Sequence, residues 1–216
     1  EALRLLEELA ACLNIARMPV GFLDPKREGR YPEVLRRMVA AVRKLRENDF
    51  TPMAAVAGAI SDLVLEKMRD CGAESGYVNN GGDIALHLAA GEVLRVGVVQ
   101  DLAAGEVTHV IRVNAGYETG GIATSGFGGR SLTKGVASAV TVLAENAALA
   151  DAAATAVANA TNCHCPGVVR CKAWELDGLT DIPAHIVTKE IGVLGKASIN
   201  EALENGLARL LELKEQ

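Results

Sequence analysis

Apolar residues recur at helical spacing through the first third of the chain and in short β-type runs through the middle, with the period changing near Ser75. Val34, Leu35, Met38, Val39, Val42 and Leu45 repeat every three to four positions and predict an amphipathic packing helix. Before it, residues 1–50 read as helical and charged, broken at Met18 to Pro32, where three prolines and two glycines stop any helix. Thr51 followed by Pro52 predicts a capped helix start, because proline at the first position gives up only an N–H that would be unpaired anyway. Met53, Val56, Ala57, Ile60, Leu63, Val64 and Met68 then form the expected buried stripe, and Cys71-Gly72 ends it.

Beyond Ser75, the runs Tyr77-Val78, Ile84 to Leu88, Val93 to Val99 and Val107 to Val113 are separated by Gly, Asn and Asp and predict a largely antiparallel meander. Val136 to Ala144 reads as a strand leading into an alanine-rich helix from about Asn146 to Asn159. Val168 to Trp174 and His185 to Leu194 read as further strands, and Ser198 with Glu201 as the capping box of a last helix ending near Leu213. Strands and helices mix without regular βα alternation, so the expected class is α+β, a mainly antiparallel sheet packed with helices. A single domain over residues 1–216 is expected, with a helical part at 1–50, a motif-bearing core at 51–160 and C-terminal strands and helix at 161–216.

Composition narrows the chemistry. Half the residues are apolar but only 3% aromatic, so small aliphatic side chains must pack closely. A net charge of -5 without a basic stripe argues against a nucleic-acid partner. No apolar run approaches the ~20 residues of a membrane span. Cys12, Cys71, Cys163, Cys165 and Cys171 form an odd set outside any secreted disulfide framework, which reads as reduced thiols in a cytoplasmic protein. Cys163-His164-Cys165 with Cys171 could supply soft metal ligands, but the spacing fits no usual zinc pattern and buried thiols explain it as well. His87, His109 and His185 stand singly, without a nearby nucleophile and acid, as structural histidines do.

Gly120 to Arg130 holds five glycines, a density that suits either a nest of backbone N–H groups for phosphate oxygens or a plain hairpin loop. It is neither a Walker loop, since Lys134 precedes Gly135, nor a dinucleotide fingerprint, since Ser131 stands where its third glycine belongs. Ser125 lacks the glycines of a nucleophile elbow. Asp151 and Thr155 fall one helical turn apart among alanines, as hard oxygen ligands for Mg²⁺ or as a carboxylate near a helix N-terminus with a back-bonded threonine. The Gly81-Gly82 pair before Asp83 marks a turn or a close approach to a ligand.

In this order the segments resemble the FAD:protein FMN transferase family known as ApbE, and most of all a shorter branch of ApbE-like proteins. The family is similar in a Gly-Ala pair within a helix, here Gly58-Ala59, and an Asn-rich Gly-Gly turn, here Val78-Asn79-Asn80-Gly81-Gly82. It also shares a Val-Gly-Val step at Val96-Gly97-Val98, a Thr-Ser-Gly loop at Ala123-Thr124-Ser125-Gly126, and an Ala-Asp helix at Ala150-Asp151 with Thr155. The likeness covers about residues 51–160.

The resemblance implies an ApbE-like fold that binds the pyrophosphate of FAD with Mg²⁺, held by Asp151, Thr155 and a backbone carbonyl near Gly58 or Ala59. The chain's candidates to bind the small phosphorylated ligand are Gly81, Gly82, Asp83, Thr124, Ser125 and Gly126, with Asp83 standing where the family has Asn, and Arg130 and Lys134 are offered to neutralise phosphate. The implied reaction moves FMN onto a Thr or Ser hydroxyl of a target protein. The family's Lys-Gly pair falls where this chain has Ile60-Ser61-Asp62, and its His-containing segment is replaced by Arg130 to Gly135. No catalytic residue is therefore assigned. A flavin- or nucleotide-acting Mg²⁺ enzyme stands beside two alternatives: a module that keeps the pocket without chemistry, and an assembly role in which long apolar helices build a homodimer.

Overall fold

The computed structural model describes residues 1–99 and 105–215. The chain is α+β, with two compact units: Glu1–Ala123 with Val142–Ala152, and Thr124–Thr141 with Ala153–Gln216. No helix among the described residues is long and apolar enough to cross a membrane.

In the first unit, α1 (Ala2–Ala11) and the single turn α2 (Leu13–Ala16) precede 3₁₀ turns at Val20–Phe22 and Pro25–Arg30, where the prolines fall. Next, α3 (Glu33–Arg43) buries Val34, Leu35, Met38, Val39, Ala41 and Val42, the stripe its spacing predicts. Each such aliphatic side chain contributes roughly 1.5–3 kcal/mol on burial, so this face anchors the unit.

The following helix departs from expectation at its start and on its face. Pro52–Ala55 is a 3₁₀ turn, and α4 runs only from Val56 to Asp70, with no side-chain cap from Thr51. The buried face of α4 keeps Ile60 and Leu63 of the expected stripe and adds Gly58, Ala59, Ser61, Asp62 and Leu65, whereas Met53, Val56, Ala57 and Val64 are half-buried and Met68 is exposed. Polar Ser61 and Asp62 can occupy that face because both are hydrogen-bonded there.

Five strands follow: β1 (Gly76–Asn80), β2 (Asp83–His87), β3 (Val93–Val99), β4 (Val107–Asn114) and β5 (Gly121–Ser125). β1 and β2 form a tight antiparallel hairpin with Asn80 opposite Asp83, and Gly81 and Gly82 both take positive φ, 72° and 116°, which only glycine adopts readily. β3 and β4 form a separate antiparallel ribbon. Its Val113 packs with Ile84, Leu86 and Ile122 in one apolar cluster. β5 occupies the first half of the stretch expected as a glycine loop. Gly121 fits there because a Cβ would lie 2.3 Å from the Ala147 nitrogen.

A four-stranded sheet has the order β1, β2, β5, β6, where β6 is Val140–Ala144, later than the start expected at Val136. β5, β6 and the alanine-rich α5 (Ala147–Ala160) each begin in one unit and end in the other.

The second unit contains the antiparallel pair β7 (Val168–Lys172) and β8 (Ile186–Ile191) and the long α6 (Lys196–Lys214). Residues 173–175 form a 3₁₀ turn instead of extending β7, and His185 lies before β8. Gly195 is the cap position of α6, so the expected box at Ser198 and Glu201 lies inside the helix. Val136, Cys163 and Ala202 form the apolar cluster here, with Cys165 packed against it. Burial pushes the Cys163 thiol above its ordinary value, with Cys165 adding to the shift, so Cys163 stays protonated. No disulfide forms among the described cysteines.

A polar hub organises this unit. Arg170 donates through Nη1 to the Lys134 carbonyl at 2.6 Å and to Thr188 Oγ1 at 3.1 Å, and through Nη2 to Asn162 Oδ1. Asn159 Oδ1 accepts from the Lys134 N–H at 2.8 Å and from Thr133 Oγ1 at 3.2 Å. Residues 133–135 are thereby fixed by side chains as well as by the backbone bond from the Thr188 N–H of β8 to the Thr133 carbonyl at 2.8 Å.

Candidate functional site

The chemistry-bearing groups of the first unit gather where α4 meets the start of α5. Alanines on α5 and a glycine on α4 allow the approach: Ala147, Ala148 and Ala150 are buried, and a Cβ on Gly58 would lie 2.2 Å from the Ala147 carbonyl oxygen. At this crossing each helix completes the other's first turn. Asp62, on α4, accepts the Ala147 and Ala148 N–H groups of α5 through its two carboxylate oxygens, both at 2.9 Å. Asp151, on α5, accepts the Gly58 N–H of α4 through Oδ2 at 3.0 Å, and the Ala57 N–H also contributes. Helix N-termini expose unpaired N–H groups with partial positive charge, so each carboxylate sits where an anion is favoured. Asn146 adds a local cap, its Oδ1 accepting the Leu149 N–H at 2.9 Å.

The β1–β2 hairpin brings a third carboxylate. Ser61 Oγ donates to the Asp83 carbonyl at 3.0 Å, Asn80 Nδ2 donates to the Ala57 carbonyl at 3.4 Å, and Asn79 Oδ1 accepts the Gly82 N–H at 2.9 Å. These bonds hold the hairpin end against α4. Its Asp83 stands close enough to Asp151 for repulsion to matter: burial first, and then the Asp83 charge, push the Asp151 carboxyl well above the usual range against the pull of the Gly58 and Ala57 amides. Burial likewise raises Asp62, offset in part by the Ala148 and Ala147 amides.

The sign of the pH effect follows. A carboxyl whose folded value is raised contributes stability that is fully present below its unfolded value, near 4, and lost as pH rises through the folded value. In metal-free buffer, wild type should therefore lose stability relative to Asp151→Asn as pH climbs above about 4, by at most about 1.4 kcal/mol per pH unit for the one proton involved. Urea melts at several pH values read this directly, and parallel curves for the two proteins would contradict the assignment.

The remaining predicted residues divide between the units. Gly81, Gly82 and Asp83 lie in the first, as does Ala59, fully buried inside α4, where its carbonyl belongs to the helix's own hydrogen-bond ladder. Thr124, Ser125, Gly126, Arg130, Lys134 and Thr155 belong to the second. Thr155 follows Asp151 one turn later on α5 and is partly buried. Thr124 Oγ1 lies 2.9 Å from Thr141 Oγ1, and Arg130 is exposed.

In the glycine loop, the N–H groups of Phe127, Gly128 and Gly129 donate to the carbonyls of Ala137, Ser138 and Gly126, so these three are already engaged within the loop's own hairpin. Gly126, at φ 148°, would place a Cβ 2.6 Å from the Ser138 carbonyl oxygen. Close backbone packing thus accounts for the glycine at that position. Among the described residues, no group of three or more His, Cys, Asp or Glu side chains is arranged to hold a metal ion.

Asp62 is the helix-bracing carboxylate to which the sequence reading gave no role of its own. Its signal was faint: a carboxylate four positions after Gly58, next to Ser61 and outside the predicted apolar stripe.

The chain matches the family model described as AbpE bacteria over residues 1–216. It is 34% identical to a UPF0280 protein of Methanopyrus kandleri over 200 residues, covering 88% of this chain and 75% of that one. Over 135 residues it is 40% identical to a UPF0280 protein of Methanosarcina barkeri, covering 61% of this chain and 50% of that one. A UPF0280 protein of Archaeoglobus fulgidus is 42% identical over 108 residues, with 50% and 43% covered. The chain spans about half the length of several of these relatives. With the match running along its whole length, the chain belongs to the AbpE bacteria family, and its curated relatives are UPF0280 proteins.

Proposed function

We propose that the protein binds a divalent cation at Asp151 with Asp83 beside it and, through that cation, a phosphorylated ligand of the flavin-nucleotide kind, as the resemblance to ApbE proteins implies. The observation that carries this reading is the setting of Asp151: one oxygen anchored on the Gly58 N–H at 3.0 Å, with its carboxyl raised by burial and by the charge of Asp83, which sits on a hairpin pinned to the same helix. Such a pair favours either a shared proton or a cation, and hard oxygen donors of this type suit Mg²⁺. A bound Mg²⁺ would supply charge neutralisation for phosphate oxygens. Asp151 is oriented for that task by α4, and Asp83 by the Gly81-Gly82 turn.

One observation favours binding without transfer. Asp62 lies in the Ile60-Ser61-Asp62 stretch that replaces the family's Lys-Gly pair, and both its oxygens are committed to the start of α5. It therefore braces helices rather than neutralising phosphate.

Calorimetry with Mg²⁺ alone, followed by FAD, tests the reading. Saturable Mg²⁺ binding in wild type, weakened at least tenfold in Asp83→Asn and Asp151→Asn, is the expected result. Equal Mg²⁺ affinity in all three proteins would remove the cation site. Incubating FAD and Mg²⁺ with a Thr-containing acceptor then separates the two roles: a covalent flavin adduct in the mass spectrum means transfer, and FAD bound but unconsumed means the module.

A further inference from the structure

The β3–β4 ribbon carries an arrangement that its own fold does not explain. In the register of the pair, Arg95 stands directly opposite Arg112, and both are exposed. Like charges directly opposite across an antiparallel pair destabilise it, because their Cβ atoms are only about 4.5–5.5 Å apart. Carboxylates usually relieve such a pair. Here the same-face neighbours are Val93, Gly97, Val110 and Asn114, none of them acidic. On this face Arg112 Nε donates to Asn114 Oδ1 at 3.2 Å, and among the described residues no ion pair engages either arginine.

The opposite face of the ribbon is committed to the core, with Leu94, Val96, Ile111 and Val113 on the cluster of Ile84, Leu86 and Ile122. Register is therefore locked, since a slip of one residue would turn those side chains to water. The two guanidinium groups cannot part by sliding the strands. Each is a planar fork of N–H donors suited to an oxyanion, and a doubly charged one can engage both.

We propose that the outer face of the β3–β4 ribbon is an oxyanion-binding site, in which Arg95 and Arg112 together clamp the doubly charged end of a phosphoryl- or dicarboxylate-bearing ligand. Gly97, beside the pair, is covered by Val107, whose side chain would lie 3.1 Å from a Cβ there, so the clamp is bounded on that side by an apolar residue and not by a competing carboxylate. This site is independent of the proposed cation site and is tested without divalent metal.

The experiment is a titration of the whole protein in EDTA with inorganic phosphate, and separately with succinate, at constant ionic strength set with NaCl. Chemical shifts of the β3 and β4 amides are the readout. Wild type should saturate with one or both anions, with shifts confined to residues near 95 and 112. Arg95→Ala and Arg112→Ala should each weaken binding tenfold or more, and Arg112→Lys should weaken it less. Saturation by phosphate alone assigns a phosphoryl ligand, and saturation by succinate as well extends it to carboxylates. The variant Arg95→Glu guards against a folding artefact, because it replaces repulsion with a cross-strand ion pair and should raise the melting temperature while abolishing the titration. Equal anion affinity in wild type and Arg95→Glu, or a wild-type response no larger than that to NaCl, overturns the proposal.

Discussion

Gly58→Ala is expected to destabilise the protein by about 3 kcal/mol, lowering the melting temperature by about 6–12 °C for a chain of this size. The new methyl would lie 2.2 Å from the Ala147 carbonyl oxygen and 2.7 Å from the Ala148 nitrogen, both backbone atoms of α5. Ordinary contact needs more than 1 Å of additional separation. Alanine returns only about 1 kcal/mol of helix propensity, so the clash wins. The displacement also lengthens the bonds from Asp62 to Ala147 and Ala148, now 2.9 Å, and from Gly58 to Asp151, now 3.0 Å. Hydrogen exchange should accelerate in the first turns of α4 and α5 together. A variant melting within a degree or two of wild type would show that the two helices do not touch there.

Gly135→Ala should cost as much or more, about 2–6 kcal/mol, combining an overpacking penalty of roughly 1–3 with the loss of a buried hydrogen bond worth a similar amount. Its Cβ would stand 1.8 Å from the Ala158 carbonyl oxygen and 2.5 Å from Thr161 Oγ1. No rotamer relieves a clash with a helix carbonyl. Moving residue 135 away would break its N–H bond to Thr133 Oγ1 at 3.1 Å, the Thr188 bond to its carbonyl at 2.8 Å, and the adjacent Val136 to Thr161 bond at 2.7 Å. The chain's single tryptophan, Trp174, belongs to the same unit and reports its unfolding in urea by fluorescence. An unchanged urea midpoint would refute the packing described for this segment.

Much of the fold was legible wherever one local signal dominates. The period of Val34 to Val42, the alanine run of α5 and the Gly81-Gly82 turn each carry their structure in adjacent residues. Two failures share a physical cause, and a third has its own. Thr51-Pro52 and Ser198 with Glu201 have the chemistry of helix starts, but side-chain type alone cannot fix the dihedral entry of the chain. The backbone enters through a 3₁₀ turn in one case and begins at Gly195 in the other. β5 was hidden because Gly121 is selected by a close approach to α5, which masks its strand character. For the site, the sequence pointed to Asp151 and Asp83 but could not reveal that Asp62 and Asp151 each serve the start of the other's helix. That fact depends on partners far away in the chain.

The crossed carboxylates also set an order of events during synthesis. Asp62 leaves the ribosome 85 positions ahead of Ala147, the first N–H it must accept, and Gly58 precedes Asp151 by 93. At roughly 5–20 residues per second, the Asp62 carboxylate waits about 4–17 s without its partners and the first turn of α4 stays incomplete for about 5–19 s. The first unit cannot close until the stretch Thr124–Thr141 of the second has already been made. A nascent chain stalled shortly after residue 140 should therefore be protease-sensitive at α4, and one released past residue 152 should not.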